Sequence, residues 1–251
     1  MYNFFVEASA RTENTFTISG KDYNHICNVL RMQIGETFLV SCEGSSHLCR
    51  LSQIDKDEIV AEITEENYRN TELPVRFYLL QGLPKSDKLE LIIQKTVELG
   101  VSEIIPVEMS RSVVKLDEKK KKSRKERWQS IAESAAKQSK RNVIPTVTDV
   151  LTYKQAMQKA AEMDLFLVPY ENERGMLATR EALEQIRPGM TVGILIGPEG
   201  GFDKREVELA RAAGGVIISL GERILRAETA AITAVAMGML HVEMNADGKE
   251  S

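Results

Sequence analysis

The sequence predicts an α/β protein in which a parallel sheet, covered by helices on both faces, follows a small β-rich domain. Three observations carry this. Strand-like and helix-like stretches alternate beyond Pro74; short β-branched runs separated by Gly, Ser and Asp precede it; and "LIGPEGGF", residues 195–202, sets glycines and a proline directly after an apolar run. With 251 residues, 43% hydrophobic and 28% charged, the chain can bury a sizeable core.

In the first part, "TFTIS" (15–19), "TFLV" (37–40), "HLCRLSQI" (47–54) and "IVAEI" (59–63) read as strands of a small barrel, with one helical stretch at residues 23–31. The expected domains are residues 1–72 and 73–251. In the second, "VRFYLLQ" precedes a helix at 87–99, "EIIPV" one at 123–139, "NVIPTV" one at 153–162, "DLFLVPY" one at 175–186, "TVGILI" one at 203–213 and "GVIISL" one at 227–244. Asp87 with Glu90 and Asp203 with Glu206 have capping-box spacing, and Gly100 and Gly214 close those two helices.

The opening "MYNFFVEASA" has no basic flank followed by a long apolar stretch, and no segment reaches the roughly 18 apolar residues that span a bilayer, so the expectation is a soluble, cytoplasmic protein without a membrane partner. Cys27, Cys42 and Cys49 lack C-x-x-C spacing and read as reduced packing residues, with neither metal nor disulfide expected. Of the three histidines, none is expected to be catalytic.

The net charge of −4 is unevenly spread: residues 1–73 carry 6 basic and 12 acidic side chains, whereas residues 111–141 carry 12 basic and 4 acidic. A stripe of that kind neutralises phosphates, although "KKKKSRKER" is equally consistent with a solvated helix start. Trp128, in step with Ile131, Ala132, Ala135 and Ala136, reads as core rather than as a platform for a base.

"GPEGGF" lies between a buried strand and a capped helix, at the carboxyl edge of the sheet where open α/β folds bind ligands. It is neither a P-loop, having no Lys-Ser or Lys-Thr, nor a dinucleotide fingerprint, and Glu199 would repel a pyrophosphate. A second stretch, "LGERILRAETAAITAVAMGML" (220–240), follows the next strand and brings a loop with two arginines to the same edge.

With "IGPEGG", these residues closely resemble the SPOUT class of RNA methyltransferases. "KSDKLELIIQKTVELGV" (85–101), "AAKQSKR" (135–141) and "HICNVLRMQIGE" (25–36) narrow the resemblance, which covers nearly the whole chain, to the family that methylates N3 of one uridine in small-subunit ribosomal RNA. The resemblance implies a trefoil-knotted parallel sheet flanked by helices, a PUA-like N-terminal barrel that binds RNA, S-adenosylmethionine as the methyl donor, a homodimer, and 16S ribosomal RNA, inside a small subunit or assembly intermediate, as partner. Many family members carry an arginine before the first aromatic pair, where this chain has Asn3.

By that resemblance the donor sits among backbone groups of Gly197, Pro198, Glu199 and Gly200 and of residues 220–226, including Gly221 and Arg226, with Ile196, Leu220, Ile224 and Leu225 as apolar walls and Pro169 at a third loop. N3 of uracil is protonated at neutral pH, so an imidate must be stabilised as the proton leaves. A guanidinium beside O2 or O4 does this electrostatically; Arg226 is the first choice and Arg141 the second. Glu199 can balance the donor's sulfonium, and the proton acceptor stays open among Glu199, Glu228 and bulk water. Arg31, Lys85, Lys120, Lys121, Lys122, Arg124 and Arg141 are expected phosphate contacts, with Glu98 a partner for a base or for Arg141. The alanines and glycine of the last helix (Ala227, Ala230, Ala231, Ala234, Gly238) are expected at the dimer contact. A non-catalytic RNA-binding assembly factor, or an enzyme of the class acting on transfer RNA or a ribose hydroxyl, are the competing readings.

Overall fold

A computed structural model describes residues 1–246 and divides the chain into two compact units, Met1–Glu72 with Ala136–Ile144, and Leu73–Ala135 with the remainder from Pro145.

The first unit holds β1 (Asn3–Phe5), β2 (Thr15–Ser19), a five-residue helix α1 (Gly20–Asn24) that runs into a π-helical turn at His25–Val29, then β3 (Thr37–Cys42), β4 (Ser45–Ile54) and β5 (Glu58–Glu65). The sheet order is β1-β3-β4-β5-β2, with β1 parallel to β3 and the other pairs antiparallel. Register shifts at Leu48/Cys49 and Leu51/Gln53 put irregularities into β4, the device by which a long strand bends and a sheet curls. Its inward residues, among them Phe4, Phe16, Ile18, Phe38, Leu51 and Ile59, form one core with Ile26. Arg31 follows the π turn at φ 54°, a left-handed angle that costs a non-glycine residue free energy.

The second stretch of this unit is fixed by polar bonds. The Asn3 amide donates to the Arg141 carbonyl (3.0 Å) and accepts from the Ser41 hydroxyl (3.0 Å), while the buried Arg141 guanidinium meets the Glu72 carboxylate. Glu72 also accepts the Asn142 N–H at 2.9 Å. A first domain ending at residue 72 therefore leaves out the partners of its own Asn3, Ser41 and Glu72.

The second unit contains β6 (Arg76–Gly82), α2 (Lys88–Glu98), β7 (Glu103–Glu108), most of α3 (Glu118–Ser139), β8 (Thr146–Val147), β9 (Leu151–Thr152), α4 (Tyr153–Ala160), β10 (Leu165–Pro169), α5 (Leu177–Leu183), β11 (Thr191–Ile196), α6 (Lys204–Ala212), β12 (Gly215–Ile218) and α7 (Ala227–Ala246). Every pair in the sheet is parallel, in the order β12-β10-β11-β6-β7-β8, with β9 also on β7. β10 is buried along its whole length and β11 from Val192 on, as strands covered on two faces must be. Trp128 is core, beside the buried Ala132 and Ala135.

Three local expectations change. Asp203 and Glu206 form the capping box of α6, but Asp87 caps nothing with its side chain. Its carboxylate is drawn instead to Arg124 (3.3 Å), and Glu90 to Arg127 (2.7 Å), so both acids serve α3. Of "NVIPTV" only Thr146–Val147 is strand, because the Asn142 side chain is bound to the Arg69 carbonyl in the first unit. Finally, Ala227, Ala231, Ala234 and Gly238 are buried within the chain, and a methyl group on Gly238 would lie 2.7 Å from the Phe77 ring. These small residues let α7 approach β6; they are not a free contact face. No helix among the described residues is long and apolar enough to cross a membrane.

Candidate active site

Because β12, β10 and β11 are adjacent and parallel, the loops after them meet at one edge of the sheet. They enclose a cavity of about 720 Å³, of a size that holds a nucleoside-sized ligand. From the β10 loop comes Pro169; from the β11 loop Ile196, Gly197, Pro198 and Glu199; from the β12 loop Leu220, Gly221, Ile224, Leu225 and Arg226. The site so assembled holds every expected donor-binding residue except Gly200.

Gly200 faces away from the cavity. Its carbonyl accepts from the Arg111 guanidinium at 3.0 Å, and a Cβ on it would lie 2.9 Å from the Arg111 Cβ. Arg111 by itself accounts for a glycine at this position. Gly201 does line the cavity, at φ 67°, and a side chain on it would meet the Glu171 carboxylate at 2.9 Å. Behind the loop the buried Glu206 accepts from the Asp203 N–H (2.8 Å) and the Ser110 N–H (2.7 Å), tying the start of α6 to the loop after β7.

Glu199 is the centre of the charge pattern. Its carboxylate accepts the Lys85 backbone N–H (3.1 and 3.2 Å) and pairs with Lys88 at 3.0 Å. Partial burial raises its affinity for a proton, but the hydrogen bonds and the Lys88 ammonium together outweigh that and hold it below the usual carboxylate value. The Lys88 ammonium, raised first by Glu199 and further by Glu228, stays charged. Glu228, on the first turn of α7, stands 3.4 Å from the same ammonium, an ion pair without hydrogen-bond geometry, and its Oε2 is buried.

Arg226 is exposed at the mouth of the cavity, as are Arg223 and Ile224, the last 90% accessible. Arg141 belongs to the first unit, where it is 3% accessible with its guanidinium committed to Glu72. Neither imidate stabilisation nor phosphate binding fits a buried, satisfied guanidinium. Glu98 pairs with Lys95 at 2.9 Å rather than with Arg141. The basic stripe is largely consumed as well: Lys121 meets Glu108 (3.1 Å) and Glu118 (3.0 Å), Arg124 meets Asp87, and Lys125 meets Asp149 at 2.9 Å. Lys120 reaches only the exposed Asp117, at 3.4 Å, and Lys122 has no ion-pair partner among the described residues. Lys85 and Arg31 are exposed.

Sequence reasoning missed Lys88, Glu171 and Arg111. Lys88 stands in plain view in "KSDKLE", yet only folding reveals that it faces two carboxylates from distant parts of the chain.

Residues 71–239 match the model of an RNA methyltransferase domain, and residues 18–64 that of an RNA methyltransferase PUA domain. The chain is 41% identical, over 94% of its length and 95% of the relative's, to the ribosomal RNA small subunit methyltransferase E of Bacillus subtilis. The chain belongs to the ribosomal RNA small subunit methyltransferase E family. A crystal structure of a member of that family from Neisseria gonorrhoeae, bound to S-adenosyl methionine, has a TM-score of 0.79 at 32% identity, over 94% of this chain and 96% of that one. A putative methyltransferase from Legionella pneumophila in complex with the same cofactor has a TM-score of 0.82 at 28% identity, over 95% and 97% of the two chains. The parallel sheet flanked by helices and the curled N-terminal sheet are those of the methyltransferase E family.

Proposed function

We propose that the protein methylates N3 of one uridine in 16S ribosomal RNA, with S-adenosylmethionine as donor. The observation that carries the reading is the convergence of residues 169, 196–199 and 220–226 on one cavity. Its walls suit the donor: apolar Ile196, Leu220 and Leu225 beside bare backbone at Gly197 and Gly221, and the carboxylates of Glu171 and Glu199 for a cationic ligand. The donor, when bound, supplies an electrophilic methyl group on a sulfonium.

The protein's part is positioning and electrostatics. In this reading Arg226, which lines the mouth of the cavity, meets O2 or O4 of the uracil and stabilises the imidate as the N3 proton leaves. Glu199 is a poor proton acceptor, because a carboxylate held below its usual value by Lys88 and the Lys85 N–H is a weak base. Its work is to hold the loop and balance charge, which leaves Glu228 or bulk water to take the proton.

Unit 1, with Arg31 exposed beside its π turn, and the exposed Lys85, Lys120 and Lys122 are assigned to the RNA backbone, within a small subunit or its assembly intermediate in the cytoplasm. The strand order β12-β10-β11-β6-β7 supports a trefoil-knotted threading of the last strands. A homodimer contact through the outer side of α7 is supported by its exposed Leu240 and Met244. Mass mapping of 16S ribosomal RNA from a strain lacking the protein tests the reading: one methyl group disappears from one uridine base and returns on complementation. An unchanged methylation map overturns it.

A further inference from the structure

We propose that Lys88, Glu199 and Glu228 form a charge-selective element that distinguishes the methyl donor from the demethylated product, so that the pocket holds the one and releases the other. The inference rests on S-adenosylmethionine being the donor.

The three residues come from three parts of the chain: the first turn of α2, the β11 loop and the first turn of α7. Lys88 is 3.0 Å from Glu199 and 3.4 Å from Glu228, with side chains 32%, 24% and 16% accessible. Two carboxylates around one ammonium leave a negative charge uncompensated, and at this burial it is screened far less than an exposed charge. Lys88 and Glu199 both line the cavity, and Glu171, against Gly201, adds charge of the same sign. The opposing guanidiniums lie where salt and water weaken them: Arg223 and Arg226 are exposed, and Arg174 is paired with Glu222 at 3.4 Å.

Methyl transfer changes the ligand's charge and little else. The S–CH₃ bond breaks and the N3–CH₃ bond forms; the electron pair of the broken bond stays on sulfur, and the N3 proton passes to solvent or to Glu228. A sulfonium becomes a neutral thioether. Shape and the remaining polar groups are otherwise conserved, so apolar walls and bare backbone bind both alike. Only a local field separates them, and a net negative cluster favours the cation. The ammonium has a second consequence. Without it two carboxylates would face each other across the cluster; with it they are held on either side of one point charge, and the selectivity is set to one negative charge rather than two.

The test is calorimetry of S-adenosylmethionine, S-adenosylhomocysteine and an analogue with a protonated amine in place of the sulfonium, on the full chain and two variants. Wild type is expected to prefer both cations to the thioether, with a preference that shrinks as salt is raised. Glu228→Gln should lower the ratio of donor to product affinity roughly three- to tenfold, and Lys88→Gln should raise it by a similar factor. Opposite movement of the two variants is the signature, because damage to the pocket weakens all three ligands together and leaves the ratio alone. Should Glu228→Gln fail to fold, Glu199→Gln replaces it with the same expected sign. Ratios that stay constant, or that move the same way in both variants, overturn the proposal and leave the cluster as a mechanical tie. If none of the ligands binds wild type, the donor assignment itself falls, a result distinct from binding without discrimination.

Discussion

Burial separates the two candidate guanidiniums. Arg141 lies 3% accessible against Glu72, whereas Arg226 is exposed at the mouth of the cavity. Arg226→Lys keeps a charge but loses the planar fork, so single-turnover methylation should fall roughly a hundredfold while donor affinity stays near wild type. Raising the pH should partly rescue the variant, since more uridine is then deprotonated before the encounter; parallel pH profiles for the two proteins would show that Arg226 serves binding only. A second residue, His47, reports on the first unit. It is buried against the Phe16 ring, both ring nitrogens lack hydrogen-bond partners, and burial, with help from Arg11, lowers its affinity for protons. The folded-state value lies below the ordinary 6.5, so the unfolded chain takes up the proton first and stability is lost as pH falls through and below that value. Denaturant unfolding at pH 7.5 and 5.5 should show a loss that His47→Phe reduces; equal losses in both proteins would place the acid sensitivity elsewhere.

Among the elements, α3 shows how a run of charges misleads. "KKKKSRKER" carries a strong local excess, but Asp87 and Glu90 of α2, Glu108 of β7 and Asp149 take up Arg124, Arg127, Lys121 and Lys125. Composition reports how many charges there are, not which are already answered. Replacing Lys120 and Lys122 by Ser should therefore lower the slope of log affinity for RNA against log salt by about 1 to 2, with melting unchanged. Replacing Arg124 and Arg127 should instead lower the melting temperature slightly, since pairs this exposed are screened by water and salt. An unchanged slope for the lysine pair would assign it to a solvated face. Where burial dominates, the sequence was legible: "TVGILI" is strand over Thr191–Ile196, and Asp203 with Glu206 caps α6. It was not legible where a side chain had a better offer, as at Asp87, or where a strand had two residues, as in β9. β1 hides in three residues whose Asn3 is held inward by Ser41 and Arg141.

For the whole molecule, the lining of the candidate cavity was almost fully legible, because three loops of adjacent strands have to meet and their residues are local in sequence. The division after residue 72 was legible too, but the return of residues 136–144 to the first unit was not, since contacts between residues 3, 41, 72 and 141 leave no periodic trace. The proposed dimer contact uses a different face of α7 from that suggested by its alanines: Leu240→Glu with Met244→Glu should shift sedimentation from dimer to monomer, and a dimer that survives would move the contact elsewhere. The discontinuity of unit 1 also sets a clock during synthesis. When residue 72 leaves the ribosome, Asn3, Ser41 and Glu72 still lack their partners, which lie up to residue 144. At roughly 5 to 20 residues per second the nascent sheet waits about 4 to 14 seconds for them. During that interval residues 73–135 of the other unit are made, so the two units are synthesised interleaved, and the N-terminal sheet can close only after part of its neighbour has already emerged.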